Sequence, residues 1–126
     1  MNIRIARHTI DLKNAVEFYI NIIGLERIGG FENHNGYDGI FIGNKESNWH
    51  IEFTTSEENP IHIFDEDDII VFYPTSKEEY DEIINNLYSK KIKILKSKNP
   101  YWNENGILVK DFDNHNVIIS KQKIKQ

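Results

Sequence analysis

The sequence predicts an α+β fold made of two tandem βαβββ modules in one domain. Two amphipathic helical stripes stand far apart in the chain, one around Leu12–Ile23 and one around Tyr80–Tyr88. Each is preceded by one strand-like segment and followed by three, and an acidic stretch lies between the repeats. The expected layout is a first module at about 1–55, a linker at 56–67, a second module at about 68–121 and a short basic tail at 122–126. A chain of 126 residues suits one domain. A half-sheet cannot bury its apolar face alone, so the halves are expected to pack together or across a dimer.

The opening Asn2–His8 has mixed polarity with a period of two. Ile3 and Ile5 fall on one face of that strand, and Arg4, Ala6 and His8 on the other. Asp11 is placed to cap a helix, since its carboxylate can accept the first unpaired amides. Leu12, Val16, Tyr19 and Ile23 follow at helical spacing, and Gly24 is placed to end the helix. Three strands are then expected, over residues 25–31, 37–42 and 49–54. Asn35-Gly36 suits the tight turn between the first two, because both residues tolerate positive φ.

The second half repeats the order. Residues 68–73 form a strand and Pro74 stops it. Ser76 with Glu79 makes a capping box, and Tyr80, Ile83, Ile84, Leu87 and Tyr88 draw the second stripe. Strands near residues 92–95, 106–110 and 116–120 complete the module. Asn99–Asn103 reads as a loop, and His62 and His115 fall in loops where exposure is expected.

Composition narrows the function classes. A net charge of -5 argues against nucleic acid, which needs concentrated positive charge. No cysteine is present, so disulfides, thiolate metal sites and cysteine nucleophiles are excluded. Arg4 and Arg7 interrupt the opening apolar positions, so no signal peptide is read there. No segment approaches the roughly 20 apolar residues of a membrane helix. A cytoplasmic protein without a membrane partner is the expectation.

The run His8-Thr9-Ile10-Asp11-Leu12, the Phe18-Tyr19 pair, Ile23-Gly24-Leu25, Ile51-Glu52-Phe53-Thr54 and the turn Asp111–His115 together resemble the glyoxalase/bleomycin-resistance/dioxygenase (vicinal oxygen chelate) superfamily. Phe112 and Asn114 stand where that turn carries proline and glycine. The resemblance implies small-molecule chemistry in a curved mixed-sheet cup, a homodimer, and a divalent metal such as nickel, manganese, iron or zinc. It carries the metal-ligand positions onto Arg4, Glu52, Asp68 and Ile118, with Asp67 an alternative to Asp68. A guanidinium has no lone pair to give a metal, and Ile118 has no donor atom. The residues therefore favour a metal-free protein that binds a small organic molecule. In that reading Arg4 anchors an anionic group, and His8, Asp68, Tyr37, Tyr101 and Trp102 line the site. Glu52 then pairs with Arg4.

The alternative is a lyase or isomerase of lactoylglutathione-lyase type, or a dioxygenase. It would use a displaced metal on His8, His50 and Glu52, or acid–base work by His50 and Glu52. A structural or regulatory protein whose cup has closed is a third reading.

Overall fold

The computed structural model describes residues 1–121. The chain divides into two compact units, the first Met1–His62 and the second beginning at Ile63.

In the first unit β1 (Ile3–His8) leads into α1 (Leu12–Ala15), capped as expected by the Asp11 carboxylate on the Lys13 amide at 2.9 Å. The helix continues as π-helical turns over Val16–Ile22, and the Ile23 amide returns to the Phe18 carbonyl at 3.0 Å. Gly24, at φ +93°, ends it in the left-handed region. Next come β2 (Glu26–His34), β3 (Tyr37–Gly43) and β4 (Trp49–Thr55). Asn35 and Gly36 join β2 to β3 with φ of 53° and 85°, the geometry that a twisted two-residue hairpin requires. The sheet order is β1-β4-β3-β2, with β1 parallel to β4 and the other pairs antiparallel.

The two faces of this sheet differ. Ile51, Phe53, Ile40 and Ile42 are buried, as are Phe18, Tyr19 and Ile22 of the helical segment. The Tyr19 and Phe53 rings lie 5.0 Å apart, which ties helix to sheet on that side. Period two sends Arg4, His50, Glu52 and Phe41 to the opposite face.

The second unit holds β5 (Ile69–Phe72), α2 (Lys77–Ser89), α3 (Pro100–Asn105), β6 (Gly106–Lys110) and β7 (Asn116–Ser120). Its sheet order is β5-β7-β6, with β5 parallel to β7. The first unit's pattern therefore recurs. The strand expected near 92–95 is reduced to a single bridge, Leu95 to Leu108. Lys91, at φ 57°, turns the chain, and the Ile92 amide is spent on the Leu87 carbonyl. The loop expected at 99–103 is α3, started by an Asn99 side chain that accepts from the Tyr101 amide and by Pro100 in the first turn. His115 is another correction: it is buried, stacked on Phe64 at 4.3 Å and 10°. The basic tail lies outside the described residues.

Ser76 caps α2 by accepting from the Glu79 amide at 3.1 Å. Ser76→Ala should cost about 1 kcal/mol, lowering the thermal midpoint by about 3–5 °C. Circular dichroism melts would show it.

Candidate functional site

Eleven positions on the open face of the first sheet form three rows of cross-strand neighbours. The first row holds Arg4, His50 and Gly43, the second Ala6, Glu52, Phe41 and Gly29, and the third His8, Thr54, Gly39 and Phe31. The register brings Arg4, His50 and Glu52 together from β1 and β4.

The Arg4 Nε–H donates to His50 Nε2 at 3.0 Å, and one terminal guanidinium nitrogen lies 3.8 Å from a Glu52 oxygen. The guanidinium carbon sits 4.9 Å from the centre of the Phe41 ring, within cation–π range. An accepting Nε2 bears no proton, so this contact selects the His50 tautomer with its proton on Nδ1. The Arg4 side chain is 52% exposed and that of Glu52 15%. Arg4 thus presents a held but accessible cation whose other N–H groups have no hydrogen-bond partner among the described residues. Such a group binds a carboxylate or phosphonate through paired N–H donors.

His8 turns elsewhere. Its ring nitrogens lie 2.8 Å from Thr54 Oγ1, 3.1 Å from Ser56 Oγ and 2.9 Å from the Glu58 carbonyl. His62 binds the His8 carbonyl at 2.6 Å. His8 therefore straps the chain that leaves β4 and does not join His50 and Glu52. Tyr37 stands edge-on to the His8 ring at 5.8 Å and borders an open pocket of about 630 Å³ beside Ser56 and Glu58.

The second unit carries the other expected residues. Asp68 is exposed just before β5, and its carbonyl accepts from the Asn116 side-chain Nδ2 at 3.3 Å. Asp67 faces Lys98 at 4.0 Å. Tyr101 and Trp102 meet edge to face on α3 at 4.8 Å, with Tyr101 exposed and Trp102 half-buried. Ile118 has no exposed surface and pairs with Val71 and Leu108.

These residues do not fit the divalent metal that the resemblance implies. A guanidinium stands at the first-strand position, and it engages His50 and faces Glu52. An enclosed isoleucine stands at the last-strand position. The displaced arrangement of His8, His50 and Glu52 is not assembled. Among the described residues no three His, Asp or Glu side chains gather closely enough to hold an ion.

Sequence reasoning missed Phe41 and Phe31. Their signal was the period-two alternation with Gly39 and Gly43 along β3, combined with the register that Asn35-Gly36 imposes.

Two family models match, the YycE-like N-terminal domain over residues 3–54 and the YycE-like C-terminal domain over residues 67–121. The chain is 34% identical over 122 residues to YycE of Bacillus subtilis (strain 168), covering 96% of this chain and 88% of that protein. A crystal structure of a YycE protein from Bacillus subtilis superposes with a TM-score of 0.88 at 33% identity, covering 99% and 92% of the two chains. The trypanothione-dependent glyoxalase I of Leishmania major gives 0.73 at 15% identity, over 95% and 85%. The fosfomycin resistance protein FosX of Mesorhizobium loti gives 0.70 at 10%, over 98% and 93%. The last two likenesses show the fold alone.

Proposed function

Because the chain belongs to the YycE-like family, with the fold of the glyoxalase superfamily, we propose that it binds a small organic anion without a metal, on the open face of its first sheet. The observation that carries this reading is Arg4 at the first-strand ligand position, donating to His50 and facing Glu52. A guanidinium there supplies fixed positive charge and a planar pair of donors. His50 and Glu52 hold it in one orientation, so less side-chain entropy is lost when an anion arrives. His8 and Tyr37 of the same unit remain part of the proposed ligand surroundings, and Asp68, Tyr101 and Trp102 are proposed as ligand-binding residues of the second unit.

The test is a thermal-shift screen of small carboxylates, phosphonates and thioester acids, fosfomycin and S-lactoylglutathione among them, with excess EDTA throughout. At least one anion class is expected to raise the midpoint in EDTA, and elemental mass spectrometry should find no stoichiometric metal. Near one equivalent of nickel, manganese, iron or zinc, lost in Glu52→Ala, would overturn the reading.

A second reading rests on the same pair. Glu52, beside a cation, would take a proton from carbon while Arg4 stabilises the resulting oxyanion. His50 suits the role of base less well, since its Nε2 already accepts from Arg4. Full turnover in Glu52→Gln would exclude this chemistry. A homodimer in the cytoplasm belongs to the same proposal, on the resemblance, and light scattering distinguishes one chain from two. Among the described residues no helix is long and apolar enough to cross a membrane.

A further inference from the structure

Glu52 is a carboxylate that the sheet encloses and does not satisfy. Its side chain is 15% exposed, and its contact with Arg4, at 3.8 Å, is too long for a hydrogen bond. The Arg4 guanidinium commits its Nε–H to a neutral imidazole at 3.0 Å, while the carboxylate beside it goes without. The neighbours of Glu52 in the register explain this. Ala6 and Phe41, on either side of it, have no polar side-chain atom. His8, in the next row, turns its ring nitrogens to Thr54, Ser56 and the Glu58 carbonyl. Among the described residues none donates a hydrogen bond to the Glu52 oxygens. An enclosed charge without donors is rare in a folded chain, because nothing replaces the water it gave up. Ala6 is exposed and ends at a methyl group, so no long side chain obstructs the approach to Glu52 from β1.

We propose that the ligand itself supplies the missing donor: the anionic group taken by Arg4 carries an ammonium on the adjacent carbon, and that ammonium donates to Glu52. The proposal rests on the anion-binding reading given above and names its ligand class, a small zwitterion such as an α-amino acid. The two protein charges stand side by side with opposite sign, and a zwitterion presents the same pair in reverse. Arg4 and Glu52 together carry no net charge, so a ligand without net charge leaves the balance of the site unchanged. A plain carboxylate would bring a second negative charge up to Glu52, and like charges oppose each other most where water is scarce. An ammonium turns that repulsion into a charge-assisted hydrogen bond.

Calorimetric titration of the full chain in EDTA tests this with three matched pairs: alanine and propanoate, leucine and 4-methylpentanoate, phenylalanine and 3-phenylpropanoate. The members of each pair differ only by the ammonium. In at least one pair the amino acid should bind roughly ten- to hundredfold more tightly than its deaminated partner. Glu52→Gln should weaken the amino acid and tighten the deaminated acid, since it removes the charged partner of one and the repulsion felt by the other. A Glu52 that serves only to hold Arg4 would move both acids the same way, and that result overturns the proposal. Amino acids that bind no better than their deaminated partners in any pair overturn it and leave anion binding intact, as does a preference that Glu52→Gln leaves unchanged. If none of the six binds, the zwitterion falls and the wider anion screen decides the reading beneath it. Deaminated acids that bind Arg4→Gln as tightly as the parent would overturn the anion reading itself.

Discussion

Arg4→Gln is expected to weaken binding of a carboxylate ligand by roughly 10- to 150-fold, because a hydrogen bond to a charged group is worth about 1.5–3 kcal/mol. The fold should survive the change. The Arg4 side chain is half exposed, and its 3.8 Å approach to Glu52 is the kind of partly solvated ion pair worth at most about 1 kcal/mol. Loss of affinity without loss of the thermal midpoint is therefore the diagnostic combination. Arg4→Lys separates charge from shape. Lysine keeps the positive end but loses the planar fork, so its affinity should fall between the other two. Calorimetric titration reads all three. A glutamine variant that binds as tightly as the parent would place the anion elsewhere.

The second large effect concerns stability. Ile118→Glu should destabilise the second unit by about 3–5 kcal/mol, the penalty for a charge enclosed without a partner. That is a large share of the roughly 5–15 kcal/mol that holds a domain together. Ile118 has no exposed surface, and its cross-strand neighbours Val71 and Leu108 offer no hydrogen bond from their side chains. The defect has a pH signature. Burial raises the folded-state pKa of the introduced carboxyl above its unfolded value of about 4.3. Between those two values the folded chain binds more protons than the unfolded one, so stability falls as pH rises through that window and levels off above it. Urea unfolding at pH 5 and pH 8, with Ile118→Val as the volume control, measures the difference. A glutamate variant as stable as the valine variant at pH 8 would mean that this strand position accepts a carboxylate after all.

Much of the fold was legible because short-range chemistry specifies it. The Asp11 and Ser76 caps and the Asn35-Gly36 turn each depend on a side chain or dihedral that one or two residues dictate. The shared face of Arg4, His50 and Glu52 followed from strand periodicity. Other features depended on competition between distant partners. Residues 92–94 have strand character, but the turn at Lys91 leaves only Leu95 in reach of β6. The π-helical turns keep the same apolar stripe as an α-helix, so hydrophobic spacing did not separate the two. Asn99-Pro100 was a legible helix start that the aromatic residues after it obscured. His8 shares the face of Glu52, yet Thr54 beside it and Ser56 beyond the strand offer nearer partners, which no periodicity reveals. The packing of Phe31 over Gly39 and of Phe41 over Gly29 was the least visible feature, because it arises from glycines on strands adjacent to those carrying the rings.

The parallel pairing of β1 with β4 has a consequence for the order of assembly. The β2–β3 hairpin closes through two residues, whereas Arg4 and His50 are separated by 46. Loop-closure entropy makes the hairpin and its neighbour β4 the early structure, and β1 the strand that docks onto a sheet already formed. β1 is also short, peripheral and largely exposed, which puts it among the segments that open most readily from the folded state. The anion's anchor therefore rides on the last piece to arrive and the first to leave, while Phe41, His50 and Glu52 stay with the meander. An occupant held by both would fasten the N-terminal strand to the sheet, so occupancy and local order would rise together.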